Sequence, residues 1–402
     1  MLAIASAVLL AACGSSSSGA PATPPTAAVT ATAAQAIPLP DREGISRWGY
    51  HPGRATGERD PPPVLSALPA GYRLETYVSG LTQPTSLAFT PDGRLLVAEQ
   101  TGSVRLVEDG RLLPEPFYNA DVYLPDRPGT IVELGLVGIA ADPQFAQNGR
   151  VWLYYTAGEP ERRTVLAHVR EVDGRGRELE EVFSLDAAPE CCHIAGSLRF
   201  AADGTLFVTV GDHQMETAAQ DRSSPFGAVL HIKTDGSPAD DNPFRNDPDA
   251  DPRIYAYGLR NPFDVAVDAD TGRVFATENG FLGQDAILEI VPGANYGWPG
   301  YELDVPIEQV QPPVRFYHQS IGPSGMELYE HDALPVFTGA LLFCQFHQGG
   351  ALHAISFNLD GSVAFDTIIA PGCTSDVTTG PDGFIYFLDY IGGVVYRIAN
   401  GP

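Results

Sequence analysis

From Tyr72 onward the apolar positions of the chain recur in short alternating runs, and Asp-Gly turns break the runs. No stretch keeps a 3.6-residue period long enough for an amphipathic helix, so the chain reads as all-β. Ser86 to Val107, SLAFTPDGRLLVAEQTGSVRLV, shows the unit: a strand, a turn at Pro91-Asp92-Gly93, a second strand, a Thr-Gly turn and a third strand. Comparable units begin at Gly138, Gly196, Phe263, Gly339 and Val377. Six units, roughly fifty to seventy residues apart, predict a six-bladed β-propeller. A strand near Arg73 to Val78 is expected to complete the last blade, closing the ring so that no long sheet edge is exposed. The long insertions Gly211 to Leu230 and Glu278 to Tyr301 mark where loops would converge on the central channel.

The chain before this pattern is of a different kind. Met1 to Cys13, MLAIASAVLLAAC, is an apolar run too short to span a bilayer, and it ends in Leu-Ala-Ala-Cys-Gly. It resembles a bacterial lipobox, although no Lys or Arg precedes it. The resemblance implies cleavage before Cys13, lipidation of its thiol and a place in the bacterial cell envelope, on the periplasmic or extracellular face. Residues 14–45, rich in Ser, Ala, Pro and Thr, are expected to be an unstructured tether, and residues 46–402 the propeller.

Charge narrows the partners. With 50 acidic against 24 basic residues the formal net charge is −26, the wrong sign for a nucleic-acid footprint. Lys233 is the single lysine, so an anionic ligand must rely on arginine, backbone N–H groups or a bound cation. Past Cys13 there are four cysteines, Cys191, Cys192, Cys344 and Cys373, which allow three pairings in an oxidising compartment. No CxxCH run occurs, so a covalent c-type haem is not expected. The alternating acidic stretch Asp247, Asp249 and Asp251 lacks the Gly and closing Glu of an EF-hand loop and reads as a solvated connection.

The chemistry-bearing segments are Cys191-Cys192-His193-Ile194-Ala195-Gly196-Ser197-Leu198, then Asp212-His213, Tyr257-Gly258-Leu259-Arg260-Asn261-Pro262, Thr277-Glu278-Asn279-Gly280 and Asn295-Tyr296-Gly297-Trp298-Pro299. In this order they resemble the soluble quinoprotein glucose/sorbosone dehydrogenases, or aldose sugar dehydrogenases, over roughly residues 70 to 399. The resemblance implies oxidation of an aldose or related polyol hydroxyl by pyrroloquinoline quinone (PQQ) with Ca2+, electrons passing to an external acceptor. It places the general base on His193, a residue type suited to taking a hydroxyl proton near neutral pH. It places quinone contacts on Arg260 and Asn261, and calcium-binding carbonyls on Gly280 and Phe281, with Asp285 and Tyr296 as further metal ligands. Asp212, His213 and Trp298 are expected on the substrate side.

Departures from the family pattern sharpen the expectations. Glu133 stands where the family has a glutamine near the cofactor. Gln348, Cys373 and Ser375 stand where a lysine and two arginines neutralise the quinone carboxylates, a loss of roughly 1.5–3 kcal/mol for each charge-assisted bond. Gln348 and Ser375 remain the expected cofactor contacts there. A Cys344–Cys373 bridge is expected in place of those charges, and Cys191 with Cys192 reads equally as a vicinal disulfide or as two buried thiols. The alternative to the enzyme is a propeller lipoprotein that has lost the quinone and binds a carbohydrate or a protein.

Overall fold

The computed structural model describes residues 64–401, apart from 66–67, 126–130, 159–161, 187–190, 282–283, 300–309, 318 and 360. The lipobox at Cys13, the tether and residues 46–63 lie outside the described residues. What is described is a six-bladed β-propeller, as the repeat predicts.

Each blade is an antiparallel sheet whose strands follow in chain order from the channel outward. The innermost strands are Pro84–Phe89, Leu136–Ala141, Ala195–Phe200, Pro262–Val267, Pro323–Tyr329 and Val377–Thr379. The second strands are buried throughout, as in Leu95–Glu99 and Leu206–Val210, except for Arg150 and Asp389 at the ends of two of them. Neighbouring blades cover both of their faces, so they read as continuous apolar runs and not as alternation. The outer strand Arg175–Asp186 has one face in water, and there the period of two returns only in part.

Blade six is closed by the early strand Tyr72–Ser79, which pairs antiparallel with Val394–Asn400. Blade five gains an edge strand that the repeat does not predict: Val64–Leu65 runs parallel to Val363–Pro371. Around the channel, buried carboxylates tie blade to blade. Asp376 accepts from the Ser86 hydroxyl and the Leu87 N–H at 2.8 and 2.9 Å, joining the sixth blade to the first. Asp264 accepts from the Ser197 hydroxyl and from the Met326 N–H at 2.6 Å, joining the third, fourth and fifth. Among the described residues, no helix is long and apolar enough to cross a membrane.

Candidate active site

Strand register creates the central feature. In the third blade Ala195 pairs with Val210, so two residues further out His193 and Asp212 stand opposite each other. The His213 N–H donates to the His193 carbonyl at 3.2 Å, continuing the ladder. Asp212 Oδ1 lies 2.7 Å from His193 Nδ1. A carboxylate can only accept, so Nδ1 carries a proton, and in the neutral ring Nε2 is the nitrogen with the lone pair. Asp212 is fully buried; Oδ1 also accepts the Gln214 N–H at 2.8 Å, and Oδ2 accepts Trp298 Nε1–H at 2.8 Å. Gly211 is obligatory in this hairpin, because a Cβ there would lie 2.0 Å from the His193 carbonyl oxygen.

His193 holds an unusual backbone, φ +64°, which costs a non-glycine residue on the order of 1 kcal/mol or more. Glu133 fixes it. The Glu133 N–H donates to the Cys191 carbonyl at 2.7 Å, and Glu133 Oε2 accepts the His193 N–H at 2.7 Å and Asn261 Nδ2–H at 3.0 Å. Cys191 and Cys192 are bonded to each other directly before His193, and Cys344 is bonded to Cys373.

His193, Glu133 and Cys192 border a cavity of about 460 Å³ at the channel mouth, together with Arg260, Asn261, Asn279, Gly280, Phe281, Asp285 and Ser375. Arg260 Nη1 donates to the Asn279 carbonyl at 3.0 Å, with the Gly280 carbonyl at 3.5 Å, and its guanidinium lies over the Trp298 ring. The Arg260-Asn261 turn is held from behind by Glu278, whose Oε1 accepts both backbone N–H groups, at 2.7 and 3.4 Å. Burial pushes the Glu278 carboxyl up to about 8.

Several expected roles are corrected by these positions. Asp212, His213 and Trp298 do not border the cavity; Asp212 and Trp298 support the imidazole from behind, and His213 packs on Phe226. Tyr296 is buried away from the cavity, and its hydroxyl is spent on other partners, donating to the Glu289 carbonyl and accepting the Val291 N–H. Asp285 spends both oxygens on the N–H groups of Gly280, Ile321 and Gly322 at 3.1, 2.8 and 2.8 Å. It therefore clamps two loops, and burial raises its carboxyl to about 6. Among the described residues no group of three His, Cys, Asp or Glu side chains is arranged to hold a metal ion. Gln348 is exposed with φ +60° and does not border the cavity; its neighbour His347 does. Ser375 borders it, but the hydroxyl donates to the Pro84 carbonyl at 2.8 Å.

Sequence reasoning missed Asn279, His347, Phe346 and Tyr390, all on the cavity wall. Asn279 sits in the quoted Thr-Glu-Asn-Gly run and ties its amide to the Pro323 carbonyl at 2.8 Å. Tyr390 donates to Gln100 Oε1 at 2.6 Å from the far end of the chain, a contact without local signal.

A tricyclic ortho-quinone finds a cavity of suitable size and, on one wall, two buried atoms without partners, Arg260 Nε and Asn261 Oδ1. The reacting end of the quinone therefore fits. Its carboxylate end meets fewer cations than the resemblance implies, since Arg260 is the one arginine on the described wall and the chain has no lysine there.

Comparison with known proteins agrees with the geometry. Residues 81–396 match the model of the glucose/sorbosone dehydrogenase family. Aldose sugar dehydrogenase YliI of Escherichia coli is 28% identical over 347 residues, covering 81% of this chain and 92% of the relative. The structure of the soluble aldose sugar dehydrogenase of Escherichia coli in its apo-form superposes with a TM-score of 0.73 at 27% identity, over 82% of this chain and all of that one. The PQQ-bound aldose sugar dehydrogenase of Streptomyces coelicolor gives 0.67 at 26% identity, over 83% of this chain and 99% of that one.

Proposed function

Because the chain belongs to the glucose/sorbosone dehydrogenase family, we propose that it oxidises a sugar or polyol hydroxyl in this cavity with PQQ as cofactor. The observation that carries the reading is the His193–Asp212 pair, with the imidazole bordering the cavity and its Nε2 lone pair free of Asp212.

Oxidising an alcohol carbon removes a hydroxyl proton and a hydride from adjacent atoms, so a base and a two-electron acceptor must both be present. PQQ supplies the acceptor when bound. His193 Nε2 takes the hydroxyl proton, and the buried Asp212 carboxylate stabilises the imidazolium that forms. Arg260 and Asn261 would orient the quinone oxygens, and Asn279 holds that wall in place. The carbonyls of Gly280 and Phe281 would be the protein oxygens offered to a calcium ion, a hard cation that accepts backbone oxygens. The product is a lactone or ketone, and the electrons leave to an external acceptor. Anchoring through Cys13 in the cell envelope completes the reading.

The test is reconstitution: PQQ is titrated into the full chain with and without calcium chloride, and dye reduction is followed with a panel of aldoses. Saturable quinone binding with sugar-driven reduction that His193→Ala abolishes is expected. Absence of quinone binding at micromolar PQQ would overturn the reading and favour the propeller that has lost the quinone.

A further inference from the structure

We propose that His347 is the cationic anchor for an anionic group of the cofactor, the part that the resemblance assigns to positions 348, 373 and 375. This rests on the reading that the cavity takes the quinone.

None of those three positions offers a cation. Gln348 is exposed and off the wall, Cys373 is buried in its bond to Cys344, and Ser375 borders the cavity with its hydroxyl donating a hydrogen bond to the Pro84 carbonyl. His347 lies on the wall beside Phe346. Its Nδ1 is 3.1 Å from both the hydroxyl and the carbonyl oxygen of Ser320. A carbonyl accepts only, so Nδ1 is the protonated nitrogen and Nε2 is the atom left for a ligand. The ring is held on a fixed loop: the His347 N–H donates to the Ile321 carbonyl at 3.0 Å, Phe346 N–H to that of Gly322 at 2.8 Å, and Gln345 Nε2–H to the His347 carbonyl at 3.0 Å. Gly322 makes room for it, since a Cβ there would stand 3.1 and 3.3 Å from His347 Cδ2 and Nε2.

In the imidazolium form Nε2–H becomes a charge-assisted donor to a carboxylate, and in the neutral form that donor is gone. The charged or titratable groups around it are Asp285, whose clamp lies against the same 321–322 segment, and Glu133, His193, Arg260 and Tyr390 on the cavity wall. His193 borders the same cavity, so the part played by His347 is isolated by comparing variants across pH.

PQQ is titrated into the wild-type chain, His347→Ala, His347→Lys and Gln348→Ala with calcium chloride at pH 6 and pH 8, following quenching of intrinsic fluorescence; melting curves check folding. The wild-type affinity is expected to fall about tenfold from pH 6 to pH 8, one charge-assisted bond's worth. His347→Ala should bind weakly with most of that pH difference gone, His347→Lys tightly at both pH values, and Gln348→Ala like wild type. A His347→Ala protein with wild-type affinity and pH profile overturns the anchor and leaves the dehydrogenase reading standing. Absence of quinone binding by wild type at either pH overturns both.

Discussion

The backbone N–H of His193 and the side-chain amide of Asn261 converge on one oxygen of Glu133, at 2.7 and 3.0 Å. One carboxylate thus joins the base to the wall expected to orient the acceptor, and its charge sits where an anionic cofactor would bind. Glu133→Gln keeps an acceptor oxygen and removes the charge, so PQQ should bind more tightly, by severalfold, with turnover preserved. Glu133→Ala removes the acceptor, leaving both donors without it, and should lower kcat at least tenfold. Equilibrium titration and steady-state kinetics check both; equal quinone affinity in wild type and Glu133→Gln would show that the charge is not felt.

Asp212 fixes the tautomer of His193 without touching the cavity. Asp212→Asn presents an amide that can donate to Nδ1, turning the protonated nitrogen toward the cavity. A fall in kcat on the order of 10²–10⁴ is expected, with KM and quinone affinity little changed. A loss confined to KM would instead place Asp212 among the substrate contacts.

Glu278 and Asp376 make the protein less stable as pH rises. Burial lifts their folded values to about 8 and about 7, against ordinary values of 4.5 and 3.8. Between the ordinary and the folded values the native state holds protons that the unfolded chain has released, so stability falls with rising pH over that window and levels off above it. Glu278→Gln retains the acceptor for the Arg260 and Asn261 N–H groups but cannot ionise. Its Tm should decline less than wild type from pH 5 to pH 9, and parallel Tm profiles would contradict the assignment.

The two disulfides should behave oppositely. Cys344 and Cys373 are 29 residues apart, and closing such a loop in the unfolded chain is worth about 3–4 kcal/mol. Cys191 and Cys192 are adjacent and close no loop, so their bond acts only on the segment that holds His193. Cys344→Ala/Cys373→Ala should lower Tm by several degrees with kcat retained, whereas Cys191→Ala/Cys192→Ala should leave Tm near wild type and lower kcat. Calorimetry and kinetics on the two pairs separate these effects.

The blades were legible because two-residue alternation and Asp-Gly turns are local, and so was His193 through its neighbours in the chain. The partnership of His193 with Asp212 was within reach too: strand pairing of Ala195 with Val210 carries it, yet Asp212 reads on its own as a loop residue facing substrate. The metal role that the resemblance gives Asp285 and Tyr296 carries no information about their side-chain partners: here the carboxylate and the phenol oxygen satisfy backbone N–H groups of buried loops. His347 against Gln348 differs by one position in a turn, and a left-handed residue decides which of two neighbours faces the wall. No composition argument resolves that.

The strand pair that completes the sixth blade has a consequence for synthesis. Arg397 and Glu75, bonded across it, are 322 residues apart, so Tyr72–Ser79 has no partner until residues 394–400 have been made. Until residues 394–400 emerge, the nascent chain is an arc with two raw ends, one of them an unpaired strand able to capture a second copy. Closure of the ring therefore waits on the sixth blade, and any agent that shields that early strand should govern how much of the chain closes correctly.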